Sequence, residues 1–375
     1  MTENTKITFL GDFCPINRAQ EVLKNLSKED LGTIEKELEN QDLVVANLEC
    51  PLTDSEKPLM KIGPCLKVPK KTIALLQSYH INTVALANNH IMDYGYDGLQ
   101  DTINILEKNN ISYTGAGLDH SGTNKPLFIT IKGRTICMIN ACEEEFNIDV
   151  EKGAGANHFE LIPIIKTIEE CKSKADYIFL IYHGGVEYYS LPTPKLREKL
   201  RFVASLGLTA IICHHTHIVS GFEIWESVPI FYGLGNFLFD WPNKPDSWHI
   251  GLNVEFTLSS SGVSFIASFF HQYKNNTKIN LLKGEENALA HQELKRLSEI
   301  IMNQGLVEQE WQKYTDSSRQ RILSELFTMN KWHRRFVSRG LFPNLVNTTY
   351  KRNQLFNRFF CESHSELLYH ILKRK

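Results

Sequence analysis

The feature that most restricts the fold of this chain is a repeated alternation of short apolar runs with longer helix-like segments between residues 6 and 256. The short runs are rich in β-branched residues, and most of them end in polar residues, as is typical of buried strands. Strands that alternate with helices form layered α/β folds. The predicted strands are 7–10, 43–46, 83–86, 128–131, 135–139, 177–182, 210–213 and 229–232.

The remaining segments follow helical or antiparallel patterns. Residues 251–273 alternate polar and apolar side chains, which predicts late antiparallel strands. From residue 284 onward Leu, Gln, Glu, Lys and Arg recur at helical spacing. We therefore predict a main domain of residues 1–283 and a helical C-terminal region of residues 284–375. The helices predicted between the strands are 68–79, 98–109, 161–174 and 195–206.

The charge of the chain is unevenly distributed. The formal net charge is −2, but residues 331–375 contain ten Lys and Arg against two Asp and Glu, so the remainder holds 31 basic and 41 acidic residues. A basic tail is compatible with an anionic polymer, a membrane surface or nucleic acid as partner, although a solvated face is the commoner explanation. Since no aromatic–basic motif accompanies the tail, we predict no specific nucleic-acid partner.

The cysteines and the longest apolar run indicate where in the cell the protein is located. Eight cysteines are spread along the chain without a Cys-x-x-Cys pair, which indicates reduced thiols, not a zinc ribbon or a disulfide framework. The first residues lack the pattern of an export signal. The most apolar run, 177–182, is far shorter than the roughly 18 residues that a membrane span needs. We expect a cytoplasmic protein without a transmembrane segment.

Polar side chains follow the first three predicted strands. Asp12 follows the first strand, Glu49 ends Asn-Leu-Glu after the second, and Asn89 and His90 follow the third. The carboxyl ends of parallel strands form a crevice in which such groups bind ligands. Taken alone, each of these residues could instead cap a helix or bond within a turn.

Histidines follow two later strands. His183 begins His-Gly-Gly after the most apolar strand, and His-His-Thr-His at 214–217 follows the next one. Several neighbouring buried imidazoles are costly unless they are hydrogen-bonded or metallated, so the cluster favours metal binding. Oxygen and nitrogen ligands together suit one or two divalent ions such as Mn, Fe or Zn. The predicted metal ligands are Asp12, Glu49, Asn89, His183, His215 and His217.

The order of these motifs resembles that of the poly-gamma-glutamate capsule synthesis (CapA) family, which is itself similar to the calcineurin-like metallophosphoesterases. The resemblance covers about residues 6–257. It implies an α/β four-layer sandwich of two packed mixed sheets flanked by helices, with a two-metal centre at the strand ends. It also implies that the six predicted ligands occupy ligand positions and that His90 occupies the acid position. The motifs are Gly11-Asp12, Asn47-Leu48-Glu49, Ala87-Asn88-Asn89-His90, Asp93-Tyr94-Gly95, His183-Gly184-Gly185, Glu187-Tyr188, His214-His215-Thr216-His217 and Leu234-Gly235-Asn236-Phe237.

Three positions depart from the usual metallophosphoesterase pattern. Cys14 stands where the first motif usually has a histidine, and Glu49 stands where an aspartate is usual. His214 replaces the glycine that normally opens the last motif. These departures leave open how tightly one of the two metals is bound and which of the histidines act as ligands.

The leading hypothesis is metal-dependent hydrolysis of a phosphoester or related anionic substrate, with a link to poly-gamma-glutamate or capsular polymer synthesis and its machinery. His90 is the predicted catalytic acid. Glu187, Asn236 and His214 are predicted to orient ligands or contact substrate. Lys61 and Trp241 could line a substrate entrance, but we interpret Lys61 as an exposed lysine and Trp241 as a packing residue, so neither belongs to the predicted site.

Two other functions fit the same residues. The site could bind a polyanion or assemble polymer-synthesis enzymes without catalysis, which the two unusual positions Cys14 and Glu49 and the basic tail would favour. Alternatively, a metal-activated water could attack a gamma-glutamyl amide, in a hydrolase or a transferase reaction.

Overall fold

The computed structural model describes residues 3–61, 63–145, 147–149, 152–274, 276–327 and 331–341. The chain divides into two compact units, residues 1–307 and residues 308–375.

The strands, all in the first unit, are β1 (Thr5–Cys14), β2 (Leu43–Leu48), β3 (Thr83–Ala85), β4 (Ser112–Thr114), β5 (Ala116–Gly117), β6 (Leu127–Ile131), β7 (Arg134–Cys142), β8 (Ile148–Asp149), β9 (Ala154–Ala156), β10 (Tyr177–His183), β11 (Ala210–His214), β12 (Phe222–Trp225), β13 (Val228–Phe231), β14 (Asn236–Phe239), β15 (Ile250–Ser259), β16 (Gly262–Gln272) and β17 (Ile279–Leu281).

Helices connect these strands and continue beyond them. Short 3₁₀ turns also occur at Leu23–Asn25, Lys70–Thr72 and Asp246–His249. The helices are α1 (Arg18–Val22), α2 (Lys28–Leu31), α3 (Ile34–Leu38), α4 (Ile73–Ser78), α5 (Gly95–Lys108), α6 (His120–Thr123), α7 (Leu161–Lys172), α8 (Pro194–Ala204), α9 (Gly284–Met302), α10 (Gln304–Phe327) and α11 (Lys331–Ser338).

Two large mixed sheets form the centre of the first unit. The first has the order β17-β16-β15-β1-β2-β3-β4, with β14 also paired to β1. The second has the order β12-β13-β11-β10-β7-β6. Strands β1 to β4 run parallel, as do β7, β10, β11 and β13, whereas β15 to β17 are antiparallel. A small sheet of β5, β9 and β8 lies apart from these.

The two sheets pack face to face through aromatic side chains. The ring of Phe9 in β1 lies 5.1 Å from that of Phe179 in β10, and 5.8 Å from that of Phe256 in β15. Ile7 joins the same core, whereas Leu10 belongs to the core on the other face of the sheet. Because side chains alternate between faces along a strand, β1 is buried on both sides.

Helices cover the outer faces of both sheets. In α5, Leu99, Thr102, Ile103 and Leu106 are buried, at the spacing that places them on one face of a helix. Helix α7 packs on β7 and β10, and α8 packs on β11 and β13. Helix α8 begins with Pro194, after Thr193 whose hydroxyl accepts the N–H of Leu196. The predicted four-layer α/β sandwich is confirmed.

The structure also confirms the predicted main strands and the antiparallel pair in 251–273. The predictions omit very short strands such as β5, β8 and β9, whose few residues carry no periodic signal. In the described part of the chain, no helix combines the length and the apolar character that a membrane span requires.

Helix α9 belongs to the first unit and packs against β12. Leu294, Leu297 and Ile301 are buried, and Ser298 Oγ accepts the N–H of Phe222 at 3.0 Å. The predicted boundary between residues 283 and 284 stays a prediction. Of the basic tail predicted at 331–375, residues 342–375 lie outside the described residues.

Candidate metal centre

The polar residues that follow the strands meet at one edge of the sandwich. Asp12 lies in β1, Glu49 directly follows β2, and His183 ends β10. Because neighbouring strands here are parallel, the residues at their carboxyl ends reach one crevice. The structure brings the six predicted ligands together, and each of them is buried: Asp12, Glu49, Asn89, His183, His215 and His217.

Gly11 allows β1 to approach the turn that precedes β14. A side chain at Gly11 would overlap the carbonyl oxygen of Gly235, which accepts the N–H of Asp12 at 3.0 Å. The close approach therefore requires glycine at this position. It places Asp12 opposite Asn236 in the β1–β14 register.

The donor atoms form two groups that share the carboxylate of Glu49. Within each group, one donor atom from every residue lies within 4.8 Å of the others. The amide oxygen Oδ1 of Asn89 lies 3.1 Å from Nε2 of His183 and adjoins the second group. The first group is Asp12, Glu49 and His217, and the second is Glu49, His183 and His215.

Several atoms of these groups are buried without a hydrogen-bond partner in the described structure. They include both carboxylate oxygens of Glu49, Oδ2 of Asp12 and Nδ1 of His215. An unsatisfied buried carboxylate is costly, whereas a bound cation would satisfy it. Carboxylate oxygen with imidazole nitrogen is a donor set that Mn, Fe and Zn accept. The residues present therefore fit the predicted divalent metal.

The two carboxylates of the centre have opposite pKa shifts. Burial and the nearby charge of Asp12 raise the pKa of Glu49 well above its usual value. Burial also acts to raise the pKa of Asp12, but His214 and His217, with Nδ1 atoms 3.2 and 3.4 Å from its oxygens, hold that pKa well below its usual value.

Burial lowers the pKa of His183 and of His215, and the neighbouring imidazoles lower both values further. The two rings are therefore neutral near pH 7. Neutral imidazole is the form that offers a lone pair to a metal.

Two asparagines hold the ligands in place. The Nδ2 group of Asn47 donates to Oδ1 of Asp12 at 2.8 Å and lies 3.1 Å from Nδ1 of His183. Nδ1 of His217 lies 3.0 Å from Oδ1 of Asn236 and donates to it, which leaves Nε2 on the side of Glu49. Partners of this kind orient the imidazole of a metal ligand.

His90 lies beside the ligands and is held by Asp93. Nδ1 of His90 is 2.7 Å from Oδ2 of Asp93, and the same carboxylate forms an ion pair with Lys61. Lys61 Nζ also donates to the backbone oxygen of Asn89 at 3.2 Å. The Lys61 side chain is only 4% exposed, so its interpretation as an exposed lysine is wrong.

A cavity of about 290 Å³ opens at the centre. Lys61 and His90 line one part of its wall, and His217, Trp248 and Lys244 line another. The cavity gives a ligand access to His90 and to the metal-ligand candidate His217 at once. Trp241, interpreted from the sequence as a packing residue, also lines it.

The remaining predicted residues take different positions. Asn236 contacts His217, His214 lies beside Asp12, and Glu187 lies in the wall of the cavity. Cys14 is buried next to Cys50 and lies outside both donor groups. Burial and then the contact with Cys50 raise the pKa of the Cys14 thiol, so it stays protonated. Its position supplies no thiolate ligand.

Sequence reasoning did not assign several residues of this site. Asn47 lies in the Asn-Leu-Glu motif, and Asp93 is three residues after His90, so motif position could have indicated both. Lys61 and Lys244 lie in irregular loops, where no sequence pattern marks them.

Comparison with known proteins gives consistent family matches. A family model described as "Bacterial capsule synthesis protein PGA_cap" matches residues 6–241. The "PGA biosynthesis protein CapA" of Bacillus subtilis is 28% identical over 257 residues, which cover 64% of this chain and 65% of that protein. The chain thus spans less than two thirds of that relative.

Two further comparisons are more distant. The "Capsule biosynthesis protein CapA" of Bacillus anthracis is 25% identical over 278 residues, which cover 70% of this chain and 67% of that protein. A hypothetical protein of known structure from Thermus thermophilus superposes with a TM-score of 0.47 and 12% identity, covering 72% of this chain and 100% of that one.

Proposed function

The chain belongs to the bacterial capsule synthesis protein family PGA_cap, as its motif order predicts, and we propose that it is a metal-dependent hydrolase of a phosphoester or related anionic substrate. The observation that carries this proposal is the unsatisfied carboxylate of Glu49, shared by two groups of donors. A carboxylate shared by two donor sets would keep two cations close together, as a two-metal hydrolytic centre needs.

The proposed ligands are those predicted from the sequence. Asp12, Glu49 and His217 would hold one divalent cation, and Glu49, Asn89, His183 and His215 would hold the other. When bound, such cations polarise a phosphoryl oxygen and lower the pKa of a water molecule. The neutral imidazoles and the orienting asparagines prepare these ligands before the cation arrives.

His90 supplies the proton chemistry in this proposal. Asp93 engages Nδ1 of His90, so Nε2 is the nitrogen left for a ligand in the cavity. A protonated His90 would donate from Nε2 to the leaving oxygen as the ester bond breaks. Asp93 would hold the imidazole in the orientation that this transfer needs.

The family and its named relatives support a proposed role in polymer synthesis. Two relatives are named for PGA or capsule biosynthesis, so we propose that this chain acts with capsular or poly-gamma-glutamate synthesis machinery. A cytoplasmic location is part of the proposal. It is supported by the seven free cysteines among the described residues.

Metal analysis with activity assays tests the proposed function. The chain is reconstituted with Mn, Fe or Zn, freed of excess ion, and analysed by elemental mass spectrometry. We expect about two metals per chain, together with turnover of 4-nitrophenyl phosphate or bis(4-nitrophenyl) phosphate. If gamma-glutamyl 4-nitroanilide is hydrolysed and neither phosphate ester is, the substrate is an amide and not a phosphoester. Metal binding without any turnover would favour the non-catalytic binding function.

His80 offers a matched control for this experiment. It forms a group of donors with Glu35 and Glu39, but its Nε2 contacts Glu35 at 3.0 Å and Lys28 forms ion pairs with both carboxylates. The variant His80→Ala should therefore retain the metal content of the wild type. The variant Asp12→Ala, which removes a donor from the first group only, should lose about one metal.

A further inference from the structure

The ammonium group of Lys244 lies among three aromatic rings at the cavity. Its Nζ atom is 4.3 Å from the ring centroid of Trp248, 4.7 Å from that of Tyr188 and 5.6 Å from that of Trp241. Lysine side chains usually extend into water, so an ammonium enclosed on several sides is an unusual arrangement. We refer to Tyr188, Trp241 and Trp248 as the aromatic cage.

The cage is fixed to the proposed metal centre. Trp248 is only 2% exposed, and its Nε1 group donates to the backbone oxygen of Phe239 at 2.7 Å. Its ring lies 4.8 Å from that of His217 and stacks on Tyr188 at 5.9 Å. A ligand that contacts the cage therefore lies beside a proposed metal ligand.

Lys244 has no counter-ion within ion-pair distance among the described residues. Its hydrogen-bond partner is the hydroxyl of Tyr188, and the aromatic faces stabilise its charge without neutralising it. Burial lowers the pKa of Lys244, and the charge of Glu187 in the same wall opposes that shift. A partly desolvated cation of this kind favours an anionic ligand.

The second lysine of the cavity, Lys61, has a counter-ion. Lys61 is already paired with Asp93, so its charge is compensated within the protein. Lys244 is consequently the better candidate to bind an anionic group that enters from solvent.

We propose that Lys244 and the aromatic cage form a second anion subsite, which binds a carboxylate or phosphate of the substrate remote from the group that reacts. The substrate would then carry at least two anionic groups, one at the metal centre and one at Lys244. The role of the second group as part of a substrate rests on the proposed function. Anion binding at Lys244 does not, because it needs no metal and no turnover.

Anion binding by chelator-treated protein tests the subsite directly. The probes are succinate and inorganic phosphate, titrated while the fluorescence of the tryptophans and the heat of binding are recorded. Lys244→Gln should weaken binding at least about tenfold, since a charge-assisted contact is lost. Lys244→Arg should bind the probes more tightly than Lys244→Gln does, since the positive charge and its contact with the rings are retained. Lys283→Gln, which changes an exposed lysine outside the cavity, should bind as the wild type does.

The outcomes separate the subsite from the catalytic proposal. Equal binding by Lys244→Gln and wild type, or no binding of either probe by the wild type, would overturn the subsite. Tighter binding of succinate assigns a carboxylate to it, and tighter binding of phosphate assigns a phosphate. Melting temperatures of both Lys244 variants verify that they fold.

A kinetic comparison then links the subsite to the substrate. With reconstituted protein, Lys244→Gln should raise KM for an aryl phosphate that carries a remote carboxylate by a larger factor than it changes KM for 4-nitrophenyl phosphate. An equal change for both substrates would overturn the assignment of a remote group to Lys244. If neither substrate is hydrolysed, the proposed function fails, while the binding result in chelator-treated protein still decides the subsite.

Discussion

One carboxylate oxygen, Oδ2 of Asp93, lies 2.7 Å from Nδ1 of His90 and also accepts the backbone N–H of Leu66 at 2.6 Å. The backbone oxygen of Asp93 accepts the N–H of Leu59 at 2.7 Å. The loop that forms one wall of the cavity and the proposed catalytic acid are thus held by the same residue. Changes at Asp93 or at its ion-pair partner Lys61 should therefore affect the acid and the loop together.

Removal of the acid should slow turnover and spare the metals. We expect His90→Ala to lower kcat by about 100- to 10,000-fold with unchanged metal content, because general acid catalysis contributes effects of that size. Asp93→Asn should lower kcat less, because His90 remains but loses its orienting charge. Rates with saturating substrate and elemental analysis of the same samples measure both effects. An unchanged rate for His90→Ala would exclude this role.

Loss of the Lys61 charge should destabilise the protein. Lys61→Met leaves the buried carboxylate of Asp93 without its cation, which should lower the free energy of unfolding by about 3 kcal/mol. Lys67→Met is the control in the same loop, since Lys67 pairs with the exposed carboxylate of Glu56 and its removal should cost less than about 1 kcal/mol. Denaturant titrations compare the two variants, and similar losses for both would contradict the buried ion pair.

Metal stoichiometry should distinguish shared from unshared ligands. Glu49→Ala removes a donor from both groups and should reduce the content from about two metals to none. His215→Ala and His217→Ala each remove a donor from one group and should each leave about one metal. Elemental mass spectrometry on all three variants decides this, and retention of both metals by Glu49→Ala would refute the shared carboxylate.

The pKa shift of Glu49 predicts a pH-dependent stability of the chelator-treated protein. Because its pKa is raised on folding, the folded state holds the proton of Glu49 more tightly than the unfolded state does. Wild type should lose this stabilisation as the pH rises above about 4.3, by at most about 1.4 kcal/mol per pH unit. Glu49→Gln cannot lose a proton, so its melting temperature relative to wild type should increase between pH 5 and 7.

Glu35→Gln provides a control of opposite sign. The contact with His80 lowers the pKa of Glu35, so this carboxylate stabilises the fold above its unfolded pKa and loses that effect as the pH falls. The melting temperature of Glu35→Gln relative to wild type should therefore fall, not increase, as the pH rises through the acidic range. Parallel melting curves for wild type and Glu49→Gln would contradict the raised pKa of Glu49.

The close approach at Gly11 predicts a sensitive position. Gly11→Ala would place a methyl group against the carbonyl oxygen of Gly235 and should destabilise the protein by about 1 to 3 kcal/mol. It should also weaken metal binding, since the displaced backbone carries Asp12. Gly305→Ala is the control, since Gly305 lies in helix α10 and the nearest atom to an added methyl is 3.5 Å away. A metal affinity of Gly11→Ala equal to that of wild type would show that the approach is not needed.

The ligand set could be predicted because each member lies close to the end of an apolar strand. Strand direction then determines where such residues meet, as for Asp12 and His183, which are far apart in the sequence. The sharing of Glu49 could not be predicted, since it depends on the side-chain positions of residues from several strands.

The loop residues were beyond prediction for a different reason. Lys61 and Lys244 belong to segments without periodic patterns, and a lysine in such a segment is normally exposed. The burial of the Lys61 side chain results from the path of the loop around Asp93, and the partial enclosure of Lys244 results from the aromatic residues near it. These contacts arise only when the whole chain is folded.

The position of β1 in the first sheet affects the order in which the protein can fold during synthesis. β1 pairs with β2 on one side and with β15 on the other, and β14 also joins it at Asp12. The N-terminal strand therefore remains without one neighbour until the ribosome has released residues beyond 258. Pairing over such a sequence separation makes folding slow. A nascent chain should consequently depend on protection of this apolar strand until the later strands emerge, and a fragment ending before β14 should acquire neither the complete sheet nor the metal centre.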